Sequence, residues 1–276
     1  MSLIVASILV LMFLNLVLGS VSIPLKSVWN IICGLGDEPV TWQNIVWKSR
    51  LPQALTALVA GAGLAISGLQ MQTVFRNPLA GPSVLGISSG ASMGVAFVVL
   101  LSGSLGGVAL SKLGFMGEIA LSIAAVIGSL SVMALIVYVS QKVKGNVTLL
   151  IIGVMIGYVA NAVIGVLKFF SVEEDIRAYV IWGLGSFSRV SGNQMMLFVA
   201  IMAILIPLSF LLIKTLNLML LGDGYARNLG LNIKRARLLV ISCSGVLVAI
   251  VDRSSFLAWP SRTCAGPFFK HPTIGS

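Results

Sequence analysis

Val147-Thr-Leu-Leu-Ile-Ile-Gly-Val-Met-Ile-Gly-Tyr-Val-Ala-Asn-Ala-Val-Ile-Gly-Val-Leu-Lys-Phe169 holds a single charge, Lys168, next to its end. A helix needs about 20 predominantly apolar residues to cross the hydrocarbon core of a bilayer, and this stretch supplies them without a break. Runs of the same kind cover residues 3–23, 51–75, 84–105, 119–139 and 195–213. A seventh begins at Leu238 and reaches Val251, where Asp252 and Arg253 interrupt it. A membrane barrel would instead alternate apolar and polar residues in segments of about ten. The expected fold is therefore all-α, a polytopic transmembrane helix bundle with six complete spans and part of a seventh.

The remaining composition agrees. Of 276 residues, 58% are hydrophobic and 9% charged, whereas a soluble domain carries about 25% charged residues. Too few polar groups exist to cover a water-facing surface, so lipid must cover the apolar one. The net charge of +10 does not point to nucleic acid, because the basic residues are scattered between apolar runs and form no stripe with interleaved aromatics. Cys33, Cys243 and Cys264 lack metal-ligand spacing, and an odd count argues against a disulfide framework. No metal site and no catalytic constellation are expected.

Basic residues favour the cytoplasmic side of a membrane. With the N-terminus inside, the inner loops carry eight basic residues, from Arg76 to Arg237, against one acid, Asp223. The outer loops carry seven against six. The first run could serve as a signal peptide, since Leu18-Gly19-Ser20 mimics a cleavage site. Its missing basic n-region and its length favour a retained helix. Gly61, Ala65 and Gly68 share one helical face, as do Gly153 and Gly157, and helix packing accounts for both sets. Gln70 and Gln72 are candidates for a translocation path, because polar side chains at depth usually face a bundle interior or water. Their nearness to the interface offers a plainer reading, simple wetting.

Two segments go beyond generic membrane sequence. One runs from Arg50-Leu-Pro-Gln-Ala-Leu through Gln72-Thr-Val-Phe-Arg-Asn-Pro-Leu-Ala80 to Gly86-Ile-Ser-Ser-Gly-Ala91. Asn77, Pro78, Gly81 and Pro82 there make a cytoplasmic turn between spans. The other is Gly222-Asp-Gly-Tyr-Ala-Arg-Asn-Leu-Gly-Leu-Asn-Ile-Lys-Arg-Ala-Arg237. Asp223 can cap a short helix through Leu229, and Gly230 can end it in a left-handed conformation. Such a surface helix is a handle for a cytoplasmic partner or an ordinary charged loop.

Both segments, with Trp182-Gly-Leu-Gly-Ser-Phe187, resemble the iron-siderophore and cobalamin permeases of bacterial ABC importers, the FecCD family. The likeness runs from about Trp47 to Ile250, and RNPLAGPSVLGISSGA is its most specific part. The resemblance implies a multi-pass protein of the bacterial inner membrane. It implies a homodimer of permeases with ten transmembrane helices each, above two cytoplasmic ATPase subunits and fed by a periplasmic substrate-binding protein. It assigns ATPase coupling to the loop of Gly222, Asp223, Ala226, Arg227, Leu229, Gly230 and Asn232. ATP then belongs to the partner; this chain has no phosphate-binding glycine loop and is expected to bind no cofactor. Arg50 matches a position that docks the binding protein, though the second arginine often found three residues on is Gln53 here. An iron chelate, with siderophore ahead of haem and cobalamin, is the implied cargo. An ion-coupled secondary transporter is the alternative, but it would place charges within the spans.

The tail departs from this pattern. After Ile250 the chain reads VDRSSFLAWPSRTCAGPFFKHPTIGS, where the family carries a stretch like GPIGFVGLIVPH. With permitted codons, displacing the reading by one base turns the tail into GPI-x-FLGLAVPH, provided that Phe269 is encoded TTC. Residues 1–251 are thus expected to form an incomplete permease domain and 252–276 an out-of-frame tail that does not fold. On that expectation the chain as written is truncated and does not transport.

Overall fold

The computed structural model describes residues 2–19, 21–35, 38–81, 85–104, 115–143, 146–185 and 192–256. Pro82, Phe187, Cys264, His271 and the tail from residue 257 lie outside the described residues. Every regular element among the described residues is helical. In order they are α1 (Ser2–Val17), α2 (Leu25–Cys33), α3 (Val40–Ile45), α4 (Leu51–Phe75), α5 (Ile87–Ser104), α6 (Phe115–Lys142), α7 (Asn146–Phe169), α8 (Glu173–Gly183), α9 (Gly192–Phe210), α10 (Ile213–Leu220), α11 (Asp223–Asn228) and α12 (Ile233–Phe256).

Helix α4 begins and ends where its apolar run does, but it does not stand alone. A π-helical turn at Val46–Arg50 joins it to α3, making one rod from Val40 to Phe75. At 1.5 Å per residue these 36 residues reach about 54 Å, well beyond a hydrocarbon core of about 30 Å. The widened turn has a local cause. Pro52 lacks an N–H and its ring would crowd the carbonyl four residues back; the π turn, closed by the Leu51 N–H to the Val46 carbonyl, gives it room.

Three helices among the described residues are long and apolar enough to span a membrane, and α9 with α10 makes a fourth as one bent span. The six complete spans expected from the sequence are thus not all full-length helices. Helix α1 stops at Val17, about 24 Å from end to end, because the chain turns before Pro24. The sixth run breaks at Leu211–Leu212 and bends by 45° into α10. Four residues before the break, Pro207 inside α9 has no N–H to donate and its ring crowds the carbonyl of Ala203; the Ser209 hydroxyl donates 2.6 Å to the Ile206 carbonyl beside it. The seventh run starts earlier than expected and continues to Phe256, past Asp252 and Arg253. Charges do not interrupt a helical backbone.

Close approach of small residues joins the helices. α5 and α6 cross at Gly90, Gly94 and Gly128, where a Cβ on Gly128 would run into the Gly90 carbonyl and stand 3.0 Å from the Gly94 Cα. α7 lies against the start of α5: a Cβ on Gly86 would meet the Gly153 oxygen at 3.0 Å and the Gly157 nitrogen at 3.1 Å. That is the packing anticipated for Gly153 and Gly157. Gly61 differs, since nothing lies within 4 Å of a Cβ placed there; the Gly61–Ala65 face of α4 is bare in this chain. Helix α12 packs on α4 through buried Ser67 and Ser244, where one hydroxyl donates to the other and the second is left to donate to its partner's backbone carbonyl at 3.3 Å.

The buried clusters sort the helix ends. Phe75, Leu85, Ile136, Leu149, Leu216, Met219 and Ala236 share one core. These are the ends of α4, α6 and α10, the segment before α5 and the starts of α7 and α12, which the loop charges assign to the cytoplasm. At the opposite end, Leu16, Ile23, Val46 and Ala54 gather around the start of α4. Val95, Leu121, Ile164, Tyr179 and Trp182 gather around α8. The alternation of spans expected from the sequence is therefore the alternation observed.

Candidate functional site

At the inner end the chain makes two short devices. The first is the turn after α4. Asn77 and Pro78 occupy its first two positions, the Ala80 N–H donates to the Asn77 carbonyl (3.0 Å), and the Leu79 N–H donates to Asn77 Oδ1 (2.9 Å). Asparagine at the first position and proline at the second are what such a turn favours. Leu79 at its tip is 86% exposed, while Ala80 is buried.

The second is the loop 222–232. Helix α11 spans Asp223–Asn228, with Ala226 facing inward and fully buried. Gly230 closes it at φ 85°, and the Leu231 N–H returns to the Ala226 carbonyl at 3.0 Å. This is the left-handed ending read from the sequence. Asp223 does not cap the helix: Gly222 occupies the cap position at φ 110°. The Asp223 carboxylate is engaged elsewhere, accepting from Arg76 Nη2 at 2.6 Å and lying 3.8 Å from Arg237 Nη2. Asn232 caps the next helix, its Oδ1 accepting the Arg235 N–H at 3.2 Å. Arg227, Tyr225 and Leu229 are exposed, so α11 presents a mixed apolar and basic face outward.

The two glutamines part company. Gln70 is 1% exposed and faces α12, where its Nε2 stands 3.9 Å from the Cys243 sulfur and its Oε1 has no hydrogen-bond partner. Gln72 is exposed, on the face of α4 that continues through Gly61, Ala65 and Gly68. Two residues apart on a helix means nearly opposite sides, so one path cannot be lined by both within this chain. Asn161, unremarked in the sequence reading, is exposed within α7, eight residues from its outer end. A polar side chain inside a span was the available signal.

Arg50 is not at the surface. It is 5% exposed, and its guanidinium donates to the carbonyls of Leu16 (2.7 Å), Val17 (2.8 Å) and Val21. These acceptors are the C-terminal end of α1 and the segment after it, where a helix leaves carbonyls unpaired and favours a cation. In this chain Arg50 ties the first helix to the π turn, and direct docking of a partner is not the task its geometry gives it. Among the described residues no three His, Cys, Asp or Glu side chains stand together where they could hold a metal ion.

Multiple apolar helices joined by close glycine crossings define a polytopic membrane helix bundle. The chain belongs to the FecCD transport family, whose model matches residues 7–252; it is a multi-pass protein of the inner membrane. It is 33% identical over 233 residues to the hemin transport system permease protein HmuU of Yersinia pestis, covering 84% of this chain and 66% of that one. The vitamin B12 import system permease protein BtuC of Serratia proteamaculans is 36% identical over 209 residues, 75% of this chain and 59% of its own. A probable iron chelatin transport system permease protein of Helicobacter pylori is 36% identical over 227 residues, 81% and 64% respectively. Among solved structures, an inward-facing conformation of a putative metal-chelate type ABC transporter superposes with a TM-score of 0.73 at 27% identity, over 90% of this chain and 73% of that one. The chain spans about six-tenths of the length of these curated relatives.

Proposed function

We propose that this chain is the membrane-spanning permease subunit of an ABC importer for a metal chelate, with an iron siderophore ahead of haem or a corrinoid as cargo. The observation that carries the reading is the exposed helix α11, braced against the ends of α4, α10 and α12 in a chain of the FecCD family. A separate ATPase pushing on α11 would move helices that run the depth of the bundle. Two copies of the permease, two ATPase subunits and an external binding protein complete the assembly on this reading.

The path for cargo is assigned to the outward polar positions. Asn161 of α7 and Gln72 of α4 are exposed on this chain, and a polar side chain left in hydrocarbon is costly, so those faces turn to water, to the second copy or to the further helices that longer family members carry. A route lined by the Asn161 face of α7 would use the first of these. In a variant with Cys33, Cys243 and Cys264 replaced by serine, Asn161→Cys should react with a membrane-impermeant maleimide at least tenfold faster than Leu9→Cys on the apolar helix α1. Equal rates would remove Asn161 from the path.

The function itself is tested by reconstituting the full gene product with its ATPase and binding protein in liposomes. Uptake of radiolabelled ferric siderophore, haem and cobalamin is followed with and without ATP. ATP-dependent uptake that persists when ionophores collapse all ion gradients supports the importer. Uptake that needs a gradient and ignores ATP would mean an ion-coupled transporter.

A further inference from the structure

The inner end contains one residue whose backbone and side chain disagree. Arg76 is the sole non-glycine residue with a positive φ among the described residues, at 50°. It ends α4 in a left-handed conformation, its N–H returning to the Thr73 carbonyl at 3.3 Å and the Asn77 N–H to the Gln72 carbonyl at 3.2 Å. Glycine adopts this conformation freely and an arginine does not. Backbone strain of this kind persists where the side chain is needed in one place.

That place is the junction of three other helices. Arg76 Nη2 donates to the Met219 carbonyl (3.2 Å) at the end of α10 and to Asp223 Oδ1 (2.6 Å) in the first turn of α11. A cation at the one terminus and an acid at the other both suit the helix dipoles. Asp223 Oδ2 then faces Arg237 of α12, a buried side chain whose Nε has no hydrogen-bond partner. One carboxylate on α11 therefore stands between guanidiniums from α4 and α12. If α11 moves away, two like charges are left facing each other with the mediating anion gone, one of them buried.

We propose that Arg76 is a positioning residue that transmits movement of α11 to the turn 77–80. The inference rests on the coupling role given to α11 above. Asn77 follows Arg76 directly and organises that turn through both its carbonyl and its Oδ1, so the turn follows Arg76 as a unit. The Arg76–Asp223 pair is about 40% exposed on each side. Exposed pairs are weak, which suits a link that must be made and released in each cycle.

Two measurements test it. The first needs no ATPase: hydrogen exchange of the Leu79 and Ala80 amides in the detergent-solubilised full chain. Asp223→Asn, a change in a different loop, should accelerate both amides at least fivefold, and the exposed control Arg227→Gln should not. Unchanged exchange in Asp223→Asn overturns the link whether or not the protein is an importer. The second uses the reconstituted complex and counts cargo moved per ATP hydrolysed. Arg76→Gln and Asp223→Asn should each lower that ratio about tenfold, Arg76→Lys less, and the double variant no further than either single one. Multiplying effects in the double variant would show two independent roles and sink the proposal. Wild-type uptake that needs an ion gradient and ignores ATP defeats the importer reading instead; with that outcome, or with no uptake at all, the exchange result decides the link.

Discussion

Gly128→Leu is expected to leave less than a tenth of the folded chain in membranes. At the crossing of α5 and α6, the backbones of Gly90, Gly94 and Gly128 pass so closely that a Cβ on Gly128 would press into the Gly90 carbonyl and carbonyl carbon. The obstacle is backbone on both sides, which cannot rotate away as a side-chain tip can. Inserting carbons into a packed core costs about 1–3 kcal/mol, more when backbones must separate, and helices in lipid have no hydrophobic drive between them to offset it. Gly128→Ala should fall between leucine and wild type. Gly183→Ala, with nothing within 4 Å of the new Cβ, should be close to neutral. Thermal unfolding in detergent, with the amount of folded protein by size exclusion, gives the ranking. A wild-type melting temperature for Gly128→Leu would mean that α5 and α6 do not cross at this distance.

Arg50→Ala is the second large effect. It would strip three carbonyls of their donor, those of Leu16, Val17 and Val21, where the Leu16 bond is fully buried. An orphaned buried acceptor costs about 1–3 kcal/mol. Water can reach the half-buried members, so the whole loss should be about 3 kcal/mol. Arg50→Lys keeps the charge but offers no planar fork, and should recover less than half. The decisive readout is local: external protease should cut the segment 18–23 in Arg50→Ala and spare it in wild type. If Arg50→Ala matches wild type in both melting and proteolysis, the guanidinium is not what holds the first helix. A loss of binding-protein affinity without loss of stability would return Arg50 to a docking role.

Some features were legible because their causes are local. Apolar runs located α4 and α7 to within a residue, since lipid demands a hydrogen-bonded helix wherever the side chains are apolar. The Asn77-Pro78 turn and the left-handed Gly230 were legible too, because a fixed proline φ and a missing Cβ act within four residues. The π turn was hidden, although Pro52 is its cause, because a proline near a helix start usually needs no distortion. The break at Leu211–Leu212 follows Pro207, a helix-bending residue that a reading for continuous apolar runs passes over.

What the sequence by itself determined is that this chain is a bundle of membrane helices, how its loops distribute charge, and which segments turn. The tertiary structure decided which face of each helix meets which neighbour. It turned Gln70 inward and Gln72 outward, packed Gly128 and left Gly61 bare, and spent Arg50 on α1 and Asp223 on Arg76. The reason is physical. In a soluble protein the contrast between core and water writes burial into the sequence as an apolar stripe. A helix surrounded by lipid is apolar on every side, so its inner and outer faces read alike until packing distinguishes them.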